Sequence, residues 1–500
     1  MEILYKLLAL AETLGYKLYL VGGAVRDVLN KEAVKDLDLV VVDPTGRHSQ
    51  PAMELARLGA DRLGGSFVPL DEKHGVARIV LPWGEPDIVD FARLQGATLE
   101  EDLVRRDFTV NAIALPVKVE VIAALVEVDL EGLVFLLHKW VIDPTQGMRD
   151  INAGIVRATG ESALMKDPLR MLRAVRIAAM KGWRIEEETV ELIRRHGPLL
   201  NQAARERLGE EFFKLLRQRD AASWVAYLVD ELNLLPFLWP EIVGLQETKQ
   251  NYHHQVDAWT HCLTALEEME EMLVNPDFFP PDLGEAVADY GRQVLVKGKS
   301  TRAMLWKFIA LFHDVGKTVT ARQREDGRIS FFGHDLKGSE MIREMGRKLA
   351  LSGKELALAE KVVKGHMRPL QLAGCKPLSK RAAYRFFRDY GKNAVDVLVI
   401  SLADHGAKAK FKGETGYEFR DFVFGLLRRY YYQREQVLPE PLLSGRELGE
   451  AFPQVKGREI GRWLEMLMEA QVEGLVKDKE EALRFIGERL YDKKGILLKM

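Results

Sequence analysis

Residues 18–42 read LYLVGGAVRDVLNKEAVKDLDLVVV, and this stretch decides the fold of the N-terminal part of the chain. An apolar run opens it, the pair Gly22-Gly23 interrupts that run, and a short helix at 24–29 and a second apolar strand at 37–42 follow. Glycines on such a turn let a phosphate approach the exposed N–H groups at a helix N-terminus. The stretch therefore predicts a strand–turn–helix–strand unit that can hold a phosphate.

Two aspartates mark the start of the second strand. Asp36 and Asp38 are two residues apart, so both side chains point to the same face of a strand. Carboxylates on one face repel each other unless a cation lies between them, and Mg²⁺ prefers oxygen ligands of this kind. An Asp-x-Asp pair alone is usually a solvated strand end. Combined with the glycine turn and Arg26-Asp27, it predicts phosphoryl transfer, with Asp36 and Asp38 as catalytic Mg²⁺ ligands.

These motifs resemble the head of the class II nucleotidyltransferases, a family that includes bacterial CCA-adding enzymes and bacterial poly(A) polymerases. Further motifs follow in the family's order: RRDFTVNAIA at 105–114, DPTQG at 143–147 and DPLRMLRAVRIAA at 167–179. The resemblance implies a mixed α/β head of the polymerase-beta-like fold. It also implies tRNA as partner and CTP and ATP as substrates.

The resemblance places the nucleotide on residues from three motifs. Paired guanidinium groups such as those of Arg105 and Arg106 suit a triphosphate, because each can bind phosphate oxygens through two donors. By resemblance, Asp107 and Asn111 contact the ribose. The complete predicted nucleotide site comprises Gly22, Gly23, Arg26, Asp27, Arg105, Arg106, Asp107, Asn111, Asp167, Arg170, Arg173 and Arg176.

The segment MKDPLRMLRAVRIAAMKGW predicts the helix that selects the base. On a helix Asp167, Arg170 and Arg173 share a face, and Arg176 continues the series. A carboxylate beside a guanidinium can pair with the Watson–Crick edge of a base, and the resemblance assigns this role to Asp167 and Arg170. The family usually has glutamate where this chain has Lys166. Without the other motifs, an Asp–Arg pair on a helix would be an ordinary surface contact.

Three other parts of the head carry weaker predictions. Asp87 falls where the family tends to place a third acidic residue, although Asp90 fits almost as well. The apolar segment 115–142 predicts strands covering the head. Only LQGATLEEDLV separates Arg93 from Arg105, whereas CCA-adding relatives have a longer flexible segment there, associated with the final A. The short segment resembles enzymes that add only the two C residues.

Histidines and aspartates are the distinctive residues of the segment 250–410. The adjacent pair in LFHDVGK, with an upstream histidine and a downstream aspartate, resembles the HD phosphohydrolase family. The metal ligands implied by this resemblance are His261, His313, Asp314 and Asp404. His334 and His366 would line the phosphate or a second metal, and Lys317 would bind a phosphate oxygen or cap its helix. The resemblance implies a divalent ion such as Mg²⁺, Mn²⁺ or Ni²⁺.

Length, net charge and composition limit the possible architectures of the chain. Five hundred residues predict three or four domains, and the formal net charge of −2 confines any RNA surface to a local basic patch. Two cysteines, an N-terminus unlike a signal peptide and no membrane-length apolar run predict a cytoplasmic protein. The sequence leaves open whether the protein is a monomer or a homodimer. The predicted fold is multidomain α+β: a mixed α/β head, then an all-α neck, an all-α HD domain and a helical tail. The predicted boundaries are 1–150, 151–245, 250–410 and 411–500.

Two segments near the C-terminus leave their roles open. The basic, aromatic stretch at 407–438 is either an RNA-gripping surface or an amphipathic helix with a packed aromatic face, and the second interpretation is slightly preferred. The tail is a candidate tRNA-binding module.

The whole chain is predicted to be a tRNA 3′-end nucleotidyltransferase that adds C residues without a nucleic-acid template. Whether it also adds A is left open. A fused phosphohydrolase accompanies it. The alternatives are a poly(A) polymerase and an HD hydrolase with a non-catalytic head.

Overall fold

A computed structural model describes residues 2–30, 32–34, 36–82, 86–127, 139–250, 253–296 and 300–497. The chain divides into two compact units. The first comprises Met1–Arg207 with Tyr227–Leu238, and the second comprises Leu208–Ala226 with Trp239–Met500. The division into four domains predicted from the sequence stays a prediction.

The first unit mixes helices and strands. Its strands are β1 (Lys17–Val21), β2 (Asp36–Val42), β3 (Ser66–Asp71), β4 (Val76–Val80), β5 (Ile88–Arg93), β6 (Ala114–Pro116), β7 (Ile155–Val156) and β8 (Arg184–Ile185). Its helices are α1 (Glu2–Leu14), α2 (Gly22–Leu29), α3 (Pro51–Leu63), α4 (Leu99–Val104), α5 (Val119–Glu127), α6 (Gly147–Ala153), α7 (Glu161–Lys166), α8 (Leu169–Lys181) and α9 (Glu187–His196). Helix α10 (Arg205–Leu216) and helix α11 (Ala221–Asp230) each contribute to both units, and α12 (Leu235–Leu238) belongs to the first.

Six strands form one sheet in the order β3-β4-β5-β2-β1-β6. Strands β2 and β5 are parallel, and the other neighbours are antiparallel. Helix α3 packs closely on this sheet and on α1, and Gly59 lies at the contact. A Cβ at Gly59 would lie 3.2 Å from Ile79 of β4 and 2.9 Å from Leu7 of α1. The strand–turn–helix–strand unit predicted at residues 18–42 is confirmed, with α2 beginning at Gly22 and β2 at Asp36.

One prediction in the head is wrong. The apolar segment 115–142 does not continue as strands: after the short strand β6 the chain forms helix α5, which buries Val121 and Ile122. A short apolar run fits a buried helix as well as a buried strand, so periodicity alone cannot separate the two. Residues 128–138 lie outside the described residues.

The second unit is helical apart from short strand pairs. Its remaining helices are α13 (Glu241–Glu247), α14 (Ala258–Val274), α15 (Pro281–Arg292), α16 (Arg302–Phe312), α17 (Lys317–Thr320), α18 (His334–Arg347), α19 (Gly353–Gly365), α20 (Arg368–Ala373), α21 (Lys380–Tyr390), α22 (Ala394–Lys412), α23 (Tyr417–Tyr432), α24 (Arg434–Val437), α25 (Gly445–Ala451), α26 (Arg458–Glu473) and α27 (Lys479–Leu497). Its strands are β9 (Lys249–Gln250), β10 (His253–Asp257), β11 (Val294–Val296), β12 (Ser300–Thr301), β13 (Arg322–Gln323) and β14 (Ile329–Ser330). Within the described ranges, no helix has the length and apolar character needed to cross a bilayer.

The aromatic helix α23 is packed rather than exposed. Phe424 is buried against Phe279 at 5.6 Å between ring centroids, and the Tyr431 hydroxyl donates to the Ala286 carbonyl. These contacts favour the interpretation of an amphipathic helix with a packed aromatic face. The helical tail has its own apolar core, which includes Trp463 and Ile486.

A buried carboxylate joins three helices of the second unit. Asp396 of α22 is fully buried and accepts hydrogen bonds from Arg302 and Trp306 of α16 and from the hydroxyl of Tyr290 on α15. The donor–acceptor distances to Asp396 are between 2.7 and 3.0 Å. A buried charge with this many donors holds the three helices in one arrangement.

We expect Asp396→Ala to lower the apparent Tm of the full chain by about 5–10 °C, since loss of one buried partner costs about 3–5 kcal/mol. The removal leaves the Arg302 guanidinium buried without its carboxylate. Thermal unfolding followed by circular dichroism measures the shift. Asp389→Ala, which removes an exposed carboxylate paired with Arg388, is the matched control and should change Tm by less than about 2 °C. Equal shifts in the two variants would contradict the prediction.

Candidate functional site

The turn after β1 brings backbone against a carboxylate. Gly22 has a φ of +69°, and a Cβ there would lie 3.1 Å from Oδ2 of Asp38. Both the left-handed backbone and this close approach require glycine. Gly23 follows in the first turn of α2. The glycine pair thus places N–H groups at the start of a helix beside the acidic end of β2.

The register between β2 and β5 determines which aspartate of β5 or its approach lies beside Asp38. The parallel pairing of β2 and β5 sets Asp38 directly opposite Asp90. Arg78 of β4 lies opposite Asp90 on the other side and binds its two oxygens at 2.7 and 2.8 Å. Asp87 is exposed and precedes β5, so of the two candidates the structure brings Asp90, not Asp87, to the acidic site.

The acidic group suits a divalent cation. Burial and the neighbouring Asp90 carboxylate raise the pKa of Asp38, against the opposing effect of the Arg106 guanidinium. Asp36 is exposed on the same strand face, two residues before Asp38. Carboxylates that repel one another at the edge of a cleft are the donor set that Mg²⁺ binds, because the cation removes the repulsion.

A chain of polar contacts runs behind the glycine turn. The Arg26 guanidinium donates to Oδ1 of Asn111 at 2.9 Å, and the Asn111 amide donates to Asp107 at 3.0 Å. Arg173 of α8 pairs with the other oxygen of Asp107 at 3.1 Å. Burial acts to raise the pKa of Asp107, but Arg173 and Asn111 lower it by more, so the net pKa is lowered. The Asp107 carboxylate is therefore charged and oriented.

Arg26 and Asp27 support the site from behind instead of lining it. Arg26 is buried and pairs with Asp27 at 2.7 Å, and the same carboxylate accepts from Lys181 at the end of α8 at 2.8 Å. Lys181 is itself almost fully buried. Sequence reasoning did not identify Lys181; its place in the last turn of the predicted base-reading helix was the only signal.

Asp167 does not lie on the helix as predicted. Its backbone is extended, with φ −139° and ψ 91°, between the end of α7 and the start of α8. Arg207 of α10 binds the two Asp167 oxygens at 2.6 and 3.3 Å. Arg170 donates to the carbonyls of Arg105 and Ala163, both at 3.2 Å. Pro168 disfavours a helical conformation for the residue before it, which explains the error.

One cleft of the first unit gathers most of the predicted nucleotide site. The predicted residues that line it are Gly22, Gly23, Asp38, Arg106, Asp107, Asn111, Asp167, Arg170 and Arg173, and Asp90 lines it as well. Arg105 and Arg176 are not among the described residues of this lining. The Arg105 side chain instead donates to the carbonyl of Gln95 and lies 3.8 Å from Glu101.

The short segment before the RRDFT motif is folded on itself. Asp102 of α4 accepts from the Gln95 backbone N–H at 2.8 Å and from Arg106 at 3.1 Å. Thr98 caps α4, and Glu101 accepts from the Ala97 N–H at 2.9 Å. Residues 94–104 therefore form a compact, locally bonded connection.

The second unit contains a buried cluster of histidine and aspartate. His261 of α14, His313 at the end of α16, the adjacent Asp314 and Asp404 of α22 each offer a ligand atom within 4.8 Å of the others. Nε2 of His261 lies 3.0 Å from Oδ1 of Asp404 and 3.4 Å from Oδ2 of Asp314. All four residues are buried. Four convergent nitrogen and oxygen ligands form a suitable first site for a divalent metal.

Asp314 also belongs to a second cluster, with His334 and His366. The Nδ1 atoms of these histidines lie 2.8 and 2.6 Å from the carbonyls of Phe331 and Val363, which fixes Nδ1 as the donor. Their Nε2 atoms are buried and have no hydrogen-bond partner among the described residues. Two oriented lone pairs facing one carboxylate fit a second metal, with Asp314 between the two sites.

The histidines of the two clusters differ in protonation. Burial lowers the pKa of His261 to about 4 and that of His366 to about 3, so both imidazoles are neutral and can bind a metal. Against the effect of burial, the Asp314 and Asp404 carboxylates raise the pKa of His313 to about 9, so a metal at the first site has to displace the proton of His313. Two ammonium groups balance the carboxylates: Lys317 lies 2.5 Å from Asp314, and Lys408 lies 2.7 Å from Asp404. The structure thus brings Lys317 to the cluster, where it pairs with a carboxylate.

Three family descriptions match successive parts of the chain. Residues 18–157 match the Poly A polymerase head domain, residues 182–245 match the probable RNA and SrmB-binding site of polymerase A, and residues 260–407 match the HD domain. The first includes the cleft with Asp38, and the third includes both histidine clusters. The class of protein is therefore a nucleotidyltransferase with a fused HD domain.

Whole-chain relatives specify the family. The chain is 31% identical to the A-adding tRNA nucleotidyltransferase of Deinococcus radiodurans, over 93% of this chain and 94% of the relative. It is 33% identical to the CC-adding tRNA nucleotidyltransferase of Thermus thermophilus, over 93% and 92%. A solved structure of a CCA-adding enzyme with ATP shares the fold, with a TM-score of 0.62 at 19% identity over 98% and 95%. The chain belongs to the tRNA nucleotidyltransferase family.

The two histidine clusters predict a specific metal stoichiometry. We expect the full chain carrying Asp38→Asn, which removes a carboxylate of the separate cation site in the head, to bind two equivalents of Mn²⁺ in isothermal titration calorimetry, and this protein is the parent of the variants below. His366→Ala removes one of the three ligands of the second cluster, so the variant should bind one. His405→Ala, next to Asp404 but outside both clusters, is the control and should bind two. A single equivalent in the parent protein, or no change in His366→Ala, would refute a two-metal centre.

Proposed function

We propose that this protein adds two C residues to the 3′ end of tRNA from CTP, without a nucleic-acid template. The observation that carries the proposal is the cleft in which Asp38, Asp90 and the glycine turn face Asp167 and Arg170. Phosphate-binding and base-reading groups in one cleft fit a nucleoside triphosphate. The family assignment supports a tRNA 3′ end as the acceptor.

Asp36 and Asp38, with Asp90, are the proposed metal-holding residues of the head. Mg²⁺ bound there would align the triphosphate and activate the attacking hydroxyl. Arg106 would bind the triphosphate, because its guanidinium lies beside Gly22 and Asp38. Arg105 takes no part in this arrangement, since its side chain is bonded at the surface.

The reaction is an in-line displacement on the α-phosphate. The 3′-hydroxyl oxygen of the tRNA bonds to the α-phosphorus as the bond to the bridging oxygen of pyrophosphate breaks. The hydroxyl proton passes to water, and pyrophosphate leaves with the bonding electrons. Asp107 and Asn111 hold the ribose of the incoming nucleotide, and Arg26 and Arg173 fix these two side chains from behind.

Base selection is assigned to Asp167 and Arg170. The carboxylate accepts from the exocyclic amino group of cytosine, and the guanidinium donates to the ring nitrogen and carbonyl. Arg207 positions Asp167, because its two contacts fix the plane of the carboxylate. It supplies the support that the glutamate usual at position 166 would otherwise give.

The restriction to C rests on the connection at residues 94–104. A segment bonded within itself through Asp102 and Glu101 has little freedom to rearrange when the incoming nucleotide changes from CTP to ATP.

The relatives do not distinguish CC addition from A addition, because one is named as A-adding and the other as CC-adding at similar identity. The second candidate function is therefore A addition. A poly(A) polymerase is the more distant alternative, since it shares the head motifs.

The HD centre is proposed to hydrolyse phosphoesters with two divalent metals such as Mg²⁺, Mn²⁺ or Ni²⁺. His261, His313 and Asp404 would hold one metal, His334 and His366 the other, and Asp314 would bridge them. The metals would supply an activated water and neutralise charge on the phosphate. The water oxygen bonds to phosphorus, the ester P–O bond breaks, and the leaving oxygen takes a proton. Lys317 and Lys408 would bind phosphate oxygens beside the clusters.

A cytoplasmic location accompanies this proposal, because nucleoside triphosphates and tRNA are available there. Cys262 is buried, Cys375 is exposed, and both are free thiols, as a reducing compartment allows. Monomer and homodimer both remain compatible with the proposal.

Three tRNA transcripts test the activity: one ending at the discriminator base, one at C and one at CC. Each is incubated with Mg²⁺ and CTP, ATP or both, and the products are sized at single-nucleotide resolution. We expect two additions to the first transcript from CTP, one to the second, and none from ATP to any of them. Asp38→Asn replaces a metal-holding carboxylate with a neutral amide of similar size, so this variant should give no product.

Other products would contradict CC addition in different ways. Addition of a single A to the CC transcript would identify an A-adding enzyme, or a complete CCA enzyme if CTP is used as well. Long tails from ATP alone would identify a poly(A) polymerase. No product from any transcript would leave the HD centre as the only active site.

Arg207→Ala tests the positioning of Asp167. We expect kcat/KM for CTP to fall by about 5- to 10-fold, the effect of losing about 1–1.4 kcal/mol of charged hydrogen bonding. The rate with saturating CTP should change less, because the phosphates are held elsewhere. Arg205→Ala, an exposed arginine on the same helix, is the control. An unchanged kcat/KM for CTP in Arg207→Ala would exclude the positioning role.

A further inference from the structure

A buried lysine stands behind the two residues proposed to hold the ribose. Lys181 is the last residue of α8, and its side chain is only 3% exposed. Its ammonium group donates to Asp27 at 2.8 Å and also contacts Glu32. Lysine is rarely buried without a partner, because removing an ammonium group from water costs free energy. The pairing with the two carboxylates therefore explains the burial of this lysine.

The contact with Asp27 is the first of a series that ends back on α8. The Asp27 carboxylate accepts from Arg26 at 2.7 Å, and Arg26 donates to Asn111 at 2.9 Å. The Asn111 amide donates to one oxygen of Asp107 at 3.0 Å. Arg173, on the same helix as the lysine, pairs with the other Asp107 oxygen at 3.1 Å. These contacts form a closed polar ring that begins and ends on α8.

The ring anchors α8 at two points. Arg173 and Lys181 lie about 12 Å apart along the helix axis. One anchor would leave the helix able to pivot against α2 and the ribose-holding residues, whereas two anchors fix its direction as well as its position. The ammonium group also lies at the negative end of the α8 dipole, which adds to its attraction to this place.

We propose that Lys181 is a positioning residue for the sugar of the incoming nucleotide, and that it strengthens selection of ribonucleotides over 2′-deoxyribonucleotides. This inference rests on the proposed contacts of Asp107 and Asn111 with the ribose. By holding Asp27, the lysine fixes Arg26, and Arg26 orients the Asn111 amide. A fixed amide is left unpaired when the 2′-hydroxyl is missing, whereas an amide that rotates freely finds another partner.

The test measures addition of one nucleotide to a tRNA transcript ending at C, with CTP and with 2′-deoxy-CTP. Lys181→Met keeps a side chain of similar length and removes the charge and the donor. We expect KM for CTP to rise about 5- to 10-fold, with kcat within about twofold. KM for 2′-deoxy-CTP should change by less than about twofold, so the ratio of the two kcat/KM values falls. An unchanged ratio, or equal losses for both nucleotides, would overturn the proposal.

Two further variants test the route of the effect. Glu32→Gln removes the other carboxylate that contacts Lys181 and leaves the ring closed, so the CTP/2′-deoxy-CTP ratio should not change. In an Asn111→Ala background, Lys181→Met should leave the ratio unchanged, because the lysine acts through the Asn111 amide. A fall of the same size with and without Asn111 would contradict this route.

The measurement does not depend on the recovery of one variant. If circular dichroism shows that Lys181→Met is unfolded, Asp27→Asn takes its place, because it weakens the ring at the next contact. The same fall in the ratio is expected, and an unchanged ratio in Asp27→Asn would overturn the proposal.

Failure of the proposed function would be recognised separately. A protein that adds only A is tested with ATP and 2′-deoxy-ATP, because the sugar contacts do not involve the base. If the unmodified protein adds no nucleotide to any transcript, the proposed nucleotidyl transfer fails. Equilibrium dialysis of labelled CTP and 2′-deoxy-CTP then decides the role of Lys181. Weaker binding of CTP alone in Lys181→Met supports that role, and equal changes or none overturn it.

Discussion

The parallel pairing of β2 with β5 places the Asp38 carboxylate beside that of Asp90, and the head is arranged around this repulsion. Arg78 binds Asp90 from β4, and the Arg106 guanidinium lies near Asp38. The pKa of Asp38 is still raised, because burial and the Asp90 carboxylate outweigh the opposing effect of Arg106. A site left negative beside a glycine turn is selective for a divalent cation that arrives with phosphates.

The HD centre also holds carboxylates close together, but its neighbouring groups are lysines and histidines instead of arginines. Asp314 and Asp404 are buried, and each pairs with one lysine. His334 and His366 are oriented by backbone carbonyls, so their Nε2 lone pairs need no reorganisation to bind a metal. Two of the helices that carry ligands, α16 and α22, are joined by the buried Asp396 network.

Local sequence patterns predicted the elements and most of the cleft, and they failed where a contact depends on the partner strand or helix. The glycine turn and Asp36-x-Asp38 are contiguous, so their geometry follows from the chain itself. The choice between Asp87 and Asp90 depends on the register of β5 against β2, which has no local signal. Arg105 fits a triphosphate by type, but Gln95 and Glu101 hold its side chain at the surface. The 119–127 helix shows the limit of periodicity in a short apolar run.

The contact between Arg207 and Asp167 bears on how a protein selects a base without a template. A carboxylate offers about four lone-pair positions, so Arg207 can hold it and still leave an oxygen for a base amino group. Discrimination arises when the wrong base leaves a polar group unpaired, and a carboxylate that rotates freely would adapt to that base instead. Fixing the Asp167 plane therefore makes selection stricter without adding a contact to the nucleotide. Because Asp167 has an extended backbone between two helices, this restraint has to come from another element, and α10 provides it.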